Sequence, residues 1–177
     1  MKKVILNYLK KYFSYWYYKT GFLPKVPSDG EFDTKLYVGE VDEFGYIQWM
    51  YQENTEKTDF KKWKRKVKGE LREEIKEYID SYKFLELEGF LDGNLVYFDI
   101  MNDVEEMSLE EIEKVADTRD LKALENCIEI GSYQGIFEMY FDNSNGNIVI
   151  YDFDYHKKTV IANTFQELFE RLTPSKQ

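Results

Sequence analysis

The last third of the chain constrains the fold most tightly. Runs near 127–131, 135–141 and 147–153 are rich in strand formers and separated by turn residues. Asn145-Gly146, between the second and third runs, is the strongest short-range hairpin signal. A short strand at Thr159-Val160-Ile161 leads into a closing helix from Asn163 or Thr164 to Leu172, with Glu167 placed to complete its cap. This part of the chain predicts antiparallel strands closed by one helix.

The preceding residues supply the other layers. Val4, Tyr8, Leu9, Tyr12, Phe13 and Trp16 form a wide apolar stripe on an opening helix over 3–19. Gly21 stands where a left-handed helix cap belongs, Phe22 follows it, and Pro24 forbids continuation. Strands are predicted near 35–41 and 45–51. Asp59 can cap a long central helix reaching about Tyr82, because Phe60, Trp63, Val67, Leu71, Ile75, Tyr78 and Tyr82 recur at three- and four-residue steps. Strands follow at 84–88 and 94–100, joined through Asp92-Gly93-Asn94. Ser108 starts a shorter helix, with Glu111 completing a capping box. This order predicts a single α+β domain over 1–177, its mainly antiparallel sheet flanked by an N-terminal, a long central and a C-terminal helix. Trp16, Trp63, Phe137, Phe141 and Phe165 are expected to share one core.

Composition narrows the function classes. A chain of 177 residues suits one domain that needs no staples. Its one cysteine, Cys127, allows neither an intramolecular disulfide nor a thiolate metal cage. No run approaches the roughly 20 apolar residues of a membrane span. The apolar run in Met1–Leu6 is too short for a signal peptide, so a cytosolic address is expected. The net charge is −10, and between Glu86 and Glu129 there are 14 acidic residues against three basic ones. A field so placed disfavours nucleic acid, whose binding rests on Lys and Arg, and favours a basic protein segment. The cluster Asp103, Glu105, Glu106, Glu110 and Glu111 is the candidate contact, although acids at a helix start also gain from the helix dipole.

Motifs for catalysis are weak. Asp152, Asp154 and His156 would share one face of a strand and could ligate a metal, but polar residues at a strand end before Lys157-Lys158 are expected to face water. A Cys127–His156 dyad is the one thiol nucleophile conceivable, yet Cys127 opens an apolar strand and reads as a small buried side chain. No nucleophile elbow, phosphate loop or dinucleotide fingerprint occurs. The chain is therefore expected to be no enzyme and to need no cofactor. The basic run Lys61-Lys62-Trp63-Lys64-Arg65-Lys66-Val67-Lys68 reads as a solvated helix surface.

Several segments resemble one family. Tyr17-Tyr18-Lys19-Thr20-Gly21-Phe22-Leu23-Pro24 resembles the opening of the Syd family of SecY-interacting proteins. Trp49 resembles the tryptophan of its short Trp-x-Pro sequence, with Tyr51 where the family has proline. Met139-Tyr140-Phe141-Asp142-Asn143, Gly146-Asn147-Ile148-Val149, the run from Ile161 to Phe169, and Leu172-Thr173-Pro174 resemble its closing segment and the wider SUKH superfamily. The resemblance implies a SUKH-like fold and a non-catalytic module that binds the cytosolic loops of the SecY translocon channel, peripheral to the inner face of the plasma membrane. Trp49 and Tyr51 join the acidic cluster as candidate partner contacts. The superfamily also implies an alternative, an immunity protein that neutralises a bacterial toxin domain.

Overall fold

Helix α1 (Lys2–Thr20) buries Ile5, Tyr8, Leu9, Tyr12 and Phe13, as its apolar stripe requires. It ends at Gly21, whose φ of 76° lets its N–H donate to the Tyr17 carbonyl at 2.8 Å. In this computed structural model, residues 1–30, 32–60, 69–99 and 117–176 are described. Beyond α1 a small antiparallel sheet forms from β1 (Lys25–Pro27), β3 (Tyr46–Trp49) and β2 (Tyr37–Val38), with β3 central. Its strands are shorter than the 35–41 and 45–51 expected. β1 has no counterpart in the sequence reading, since Pro24 and Pro27 suppress the strand signal while an edge position tolerates them. β4 (Gln52–Glu53) then pairs with β5 (Tyr82–Lys83).

The central helix is shorter than its periodicity predicts. Helix α2 covers Glu73–Ser81, whereas Gly69 has a φ of +95° and Arg72 is extended. Tertiary hydrogen bonds hold this break: the Arg72 N–H donates to Asn143 Oδ1 at 2.9 Å, and Asn143 Nδ2 donates to the Glu70 carbonyl at 3.0 Å. The burial of Leu71, Ile75, Tyr78 and Tyr82 still follows the predicted face. The run 61–68 and the helix expected from Ser108 lie outside the described residues.

The main sheet has six antiparallel strands in sequence order: β6 (Leu87–Leu91), β7 (Asn94–Phe98), β8 (Cys127–Tyr133), β9 (Phe137–Asp142), β10 (Ile148–Asp152) and β11 (Lys157–Ala162). Helix α3 (Thr118–Ala123) precedes β8, and α4 (Phe165–Arg171) follows β11. The chain is thus α+β with antiparallel sheets. Asp92 and Gly93, both at positive φ, make the tight β6–β7 turn, and Asn94 already pairs with Leu91. At Asn145-Gly146 the loop is longer than two residues, because Asp142 N–H donates to the Asn147 carbonyl across 143–146. Asn143 keeps a backbone bond to the Asn126 carbonyl at 2.8 Å, and its side chain supplies the bonds that break the central helix.

Thr164 caps α4, accepting from the Glu167 N–H at 3.0 Å, and Glu167 accepts from the Asn163 N–H in return. This fixes the apolar face of α4 against the sheet and α2. Phe165 stacks on Tyr78 at 4.7 Å and on Phe141 at 5.1 Å, and Phe169 stacks on Phe98 at 5.1 Å. Phe141 and Phe165 are core residues as expected, and Trp16 packs against the same core from its rim. Phe137 is only partly buried beside the β8–β9 turn and lies outside this core, because it stands at the hairpin end. Trp63 is outside the described residues.

Candidate functional site

Two tyrosines of α1 build the site. The Tyr8 hydroxyl donates to the Glu88 carbonyl at 2.6 Å and the Tyr12 hydroxyl to the Glu86 carbonyl at 3.4 Å. Burial pushes both hydroxyl pKa values up, so both stay donors. Further along, Phe90 and Thr173 exchange backbone hydrogen bonds at 2.8 and 3.0 Å. Two carbonyls along the outer edge of β6 and one just before it are therefore occupied, and the edge is not an open template for another strand. What remains beside it is a groove of about 820 Å³ between the C-terminal half of α1, the small sheet and the β6–β7 hairpin.

One side of the groove is aromatic, with Trp16 and the exposed rings of Phe22 and Tyr46. Hydrogen bonds from Leu23 N–H to Gln48 and from Trp49 N–H to the Pro24 carbonyl lock this side to the small sheet. The other side is acidic. Glu86, Glu88 and Asp99 line it, and Tyr97 stands directly across the strand pair from Glu88. All three carboxyls are pushed above the ordinary carboxylate range. Burial raises Glu86; burial and the Glu86 charge raise Glu88; burial and the Glu138 charge raise Asp99. Lys25 also lines the groove, but it is paired with Asp42 and lies over the Phe22 ring, and no cation among the described residues lowers the three carboxyls.

The structure places the candidate contact residues differently from expectation. Trp49 is fully buried, in edge contact with Phe13 at 4.9 Å, so it supports the groove wall from behind and is not exposed to a partner. Tyr51 is partly buried between Phe13 and Tyr82. Asp103, Glu105, Glu106, Glu110 and Glu111 lie outside the described residues. The acids that converge on the groove come from the first part of the same acidic stretch. Their signal was the alternation of Glu86 and Glu88, which the sequence reading counted as charge without placing.

A second polar cluster forms on α3 and the β10–β11 turn. Asp152, Asp154 and His156 do not alternate along a strand: β10 ends at Asp152, and His156 has a φ of +50° in the turn. The His156 ring is held at both nitrogens, Nδ1 by Asp120 at 2.7 Å and Nε2 by Arg119 at 3.1 Å. It is thus unavailable to Cys127, whose thiol burial pushes up to about 11 despite the nearby Lys158. Among the described residues no three His, Cys, Asp or Glu side chains converge to hold a metal ion.

Asp120 is buried and accepts hydrogen bonds from Tyr151 at 2.6 Å and from His156, which lower its pKa. A carboxyl depressed in the folded state stabilises it above the unfolded pKa, near 3.9, and loses that contribution as pH falls through the folded value. Urea midpoints should therefore fall on acidification below about pH 4. Asp120→Asn should be less stable than the wild type at pH 6, with the gap closing in acid. A gap independent of pH would contradict this assignment.

Compared with known protein families and with curated proteins, the chain matches none. Among the described residues no helix is long and apolar enough to cross a membrane.

Proposed function

We propose that the chain is a non-catalytic, cytosolic protein-binding module whose groove takes a basic segment of a partner protein. One observation carries this reading: Glu86, Glu88 and Asp99 converge beside aromatic rings, while Lys25, which also lines the groove, is taken up by Asp42. Lys or Arg side chains would relieve that repulsion, and their stems would cover Tyr97 and Trp16. The resemblance to the Syd family supplies the candidate partner, the basic cytosolic loops of the SecY channel, and with it a peripheral place at the inner face of the plasma membrane. A concave groove favours an extended loop over the broad face of a toxin domain, which the SUKH immunity alternative would require.

The groove includes Trp16, so its fluorescence should report a titration with a peptide copied from such a loop. Affinity should fall roughly tenfold or more from 50 to 500 mM salt, because exposed charges are screened beyond about 8 Å at 0.15 M. Binding that ignores salt, or equal binding of an acidic peptide of the same length, would contradict the proposal.

A further inference from the structure

The first 28 residues hold a local excess of positive charge. No Asp or Glu occurs before Asp29, while six lysines do, so residues 1–28 hold +6 and the remainder −16. On α1 the exposed positions Lys3, Asn7, Lys10, Lys11, Ser14, Tyr17 and Tyr18 are spaced by three or four residues, which places them on one stripe about 22 Å long. The opposite side of the helix holds Ile5, Leu9 and Tyr12 in the core and sets Trp16 against the groove. Lys2 is paired with Glu53 and Lys25 with Asp42, but Lys3, Lys10 and Lys11 form no salt bridge among the described residues. At the C-terminal end of the stripe, Tyr17 is 63% exposed and Tyr18 92%.

From this stripe we infer that the solvent face of α1 is an adsorption surface for anionic lipid headgroups. A straight, carboxylate-free helix face fits a planar array of negative charge. Tyrosine rings suit the headgroup level, where an apolar body and a polar tip are both accommodated. The −16 elsewhere does not prevent contact, because charges farther than about 8 Å from the surface are screened at physiological salt. A flexible nucleic-acid strand would not be limited to this one face and would meet the acidic remainder. This surface is separate from the groove, whose α1 residues point the other way around the helix.

Sedimentation with vesicles tests the inference on the full chain. At 0.1 M salt, binding should be about fivefold or more greater to vesicles half phosphatidylglycerol and half phosphatidylcholine than to phosphatidylcholine alone. Lys3→Glu combined with Lys10→Glu and Lys11→Glu should reduce it to the neutral-vesicle level with an unchanged melting temperature. Tyr17→Ser with Tyr18→Ser should reduce it about twofold. The triple variant should still bind the basic peptide, so failure here is distinguishable from failure of the groove. Equal binding to both vesicle types, no binding to either, an unaffected triple variant, or lysine-dependent binding of a single-stranded oligonucleotide without vesicle binding would each overturn it.

Discussion

Gly131→Ala is expected to cost about 3 kcal/mol or more of stability, and to leave little folded protein if the domain is marginal. Gly131 sits at an irregularity in β8, where the pairing with β9 shifts between Glu129 and Gly131. Its φ is +147°, and a Cβ there would lie 1.9 Å from the Tyr97 carbonyl oxygen. That neighbour is backbone, so no side-chain rotation relieves the clash. The strand it would push away is β7, which carries Tyr97 and leads to Asp99, whose N–H donates to the Ile130 carbonyl at 3.1 Å. Gly135→Ala provides the comparison. Gly135 also has a positive φ, 69°, but a Cβ there would meet nothing within 4 Å. Its cost should be about 1 kcal/mol, from the backbone conformation alone. Urea unfolding of both variants separates the two effects, and equal losses would show that close approach at β7 is not what requires glycine.

The elements legible in the sequence were those set by local chemistry. The αL cap at Gly21, the tight turn at Asp92-Gly93 and the Thr164–Glu167 cap each need a particular residue at a particular place, and each stands where the residues predicted. The break before α2 was not legible, because it depends on Asn143, some 70 positions later in the chain. Periodicity still identified the buried face, since Ile75 and Tyr78 meet the same neighbours whether the helix begins early or late. His156 shows the same limit from the other side. A period of two placed it on a strand face, while bonds to Asp120 and Arg119 hold it in a turn.

The site was legible in charge and not in position. The excess of acids beginning at Glu86 was visible by counting, but a count does not distinguish residues that surround a groove from those that face water. What brings Glu86 and Glu88 beside Trp16 is the pair of hydroxyl bonds from α1 to β6, between residues over 70 positions apart. Trp49 illustrates the converse. A tryptophan on a short strand reads equally well as a contact or as a core side chain, and only the packing of Phe13 and Tyr12 around it decides for the core.

Neutralising the groove acids should weaken binding of a basic peptide by roughly 30-fold, the sum of three surface ion pairs at about 0.7 kcal/mol each. The same change, Glu86→Gln with Glu88→Gln and Asp99→Asn, should make the protein more stable. Carboxyls raised above their unfolded pKa are disfavoured when ionised in the folded state. The penalty is present above the folded pKa and disappears as pH falls through it. The gain should shrink toward pH 4. Affinity and melting temperature measured together on this triple variant at pH 7 test the account most directly. The account predicts a higher melting temperature, binding at least about tenfold weaker, and a residual affinity that barely responds to salt. A variant that melts lower and binds the peptide as tightly as the wild type would make these acids structural and remove the groove as the binding site.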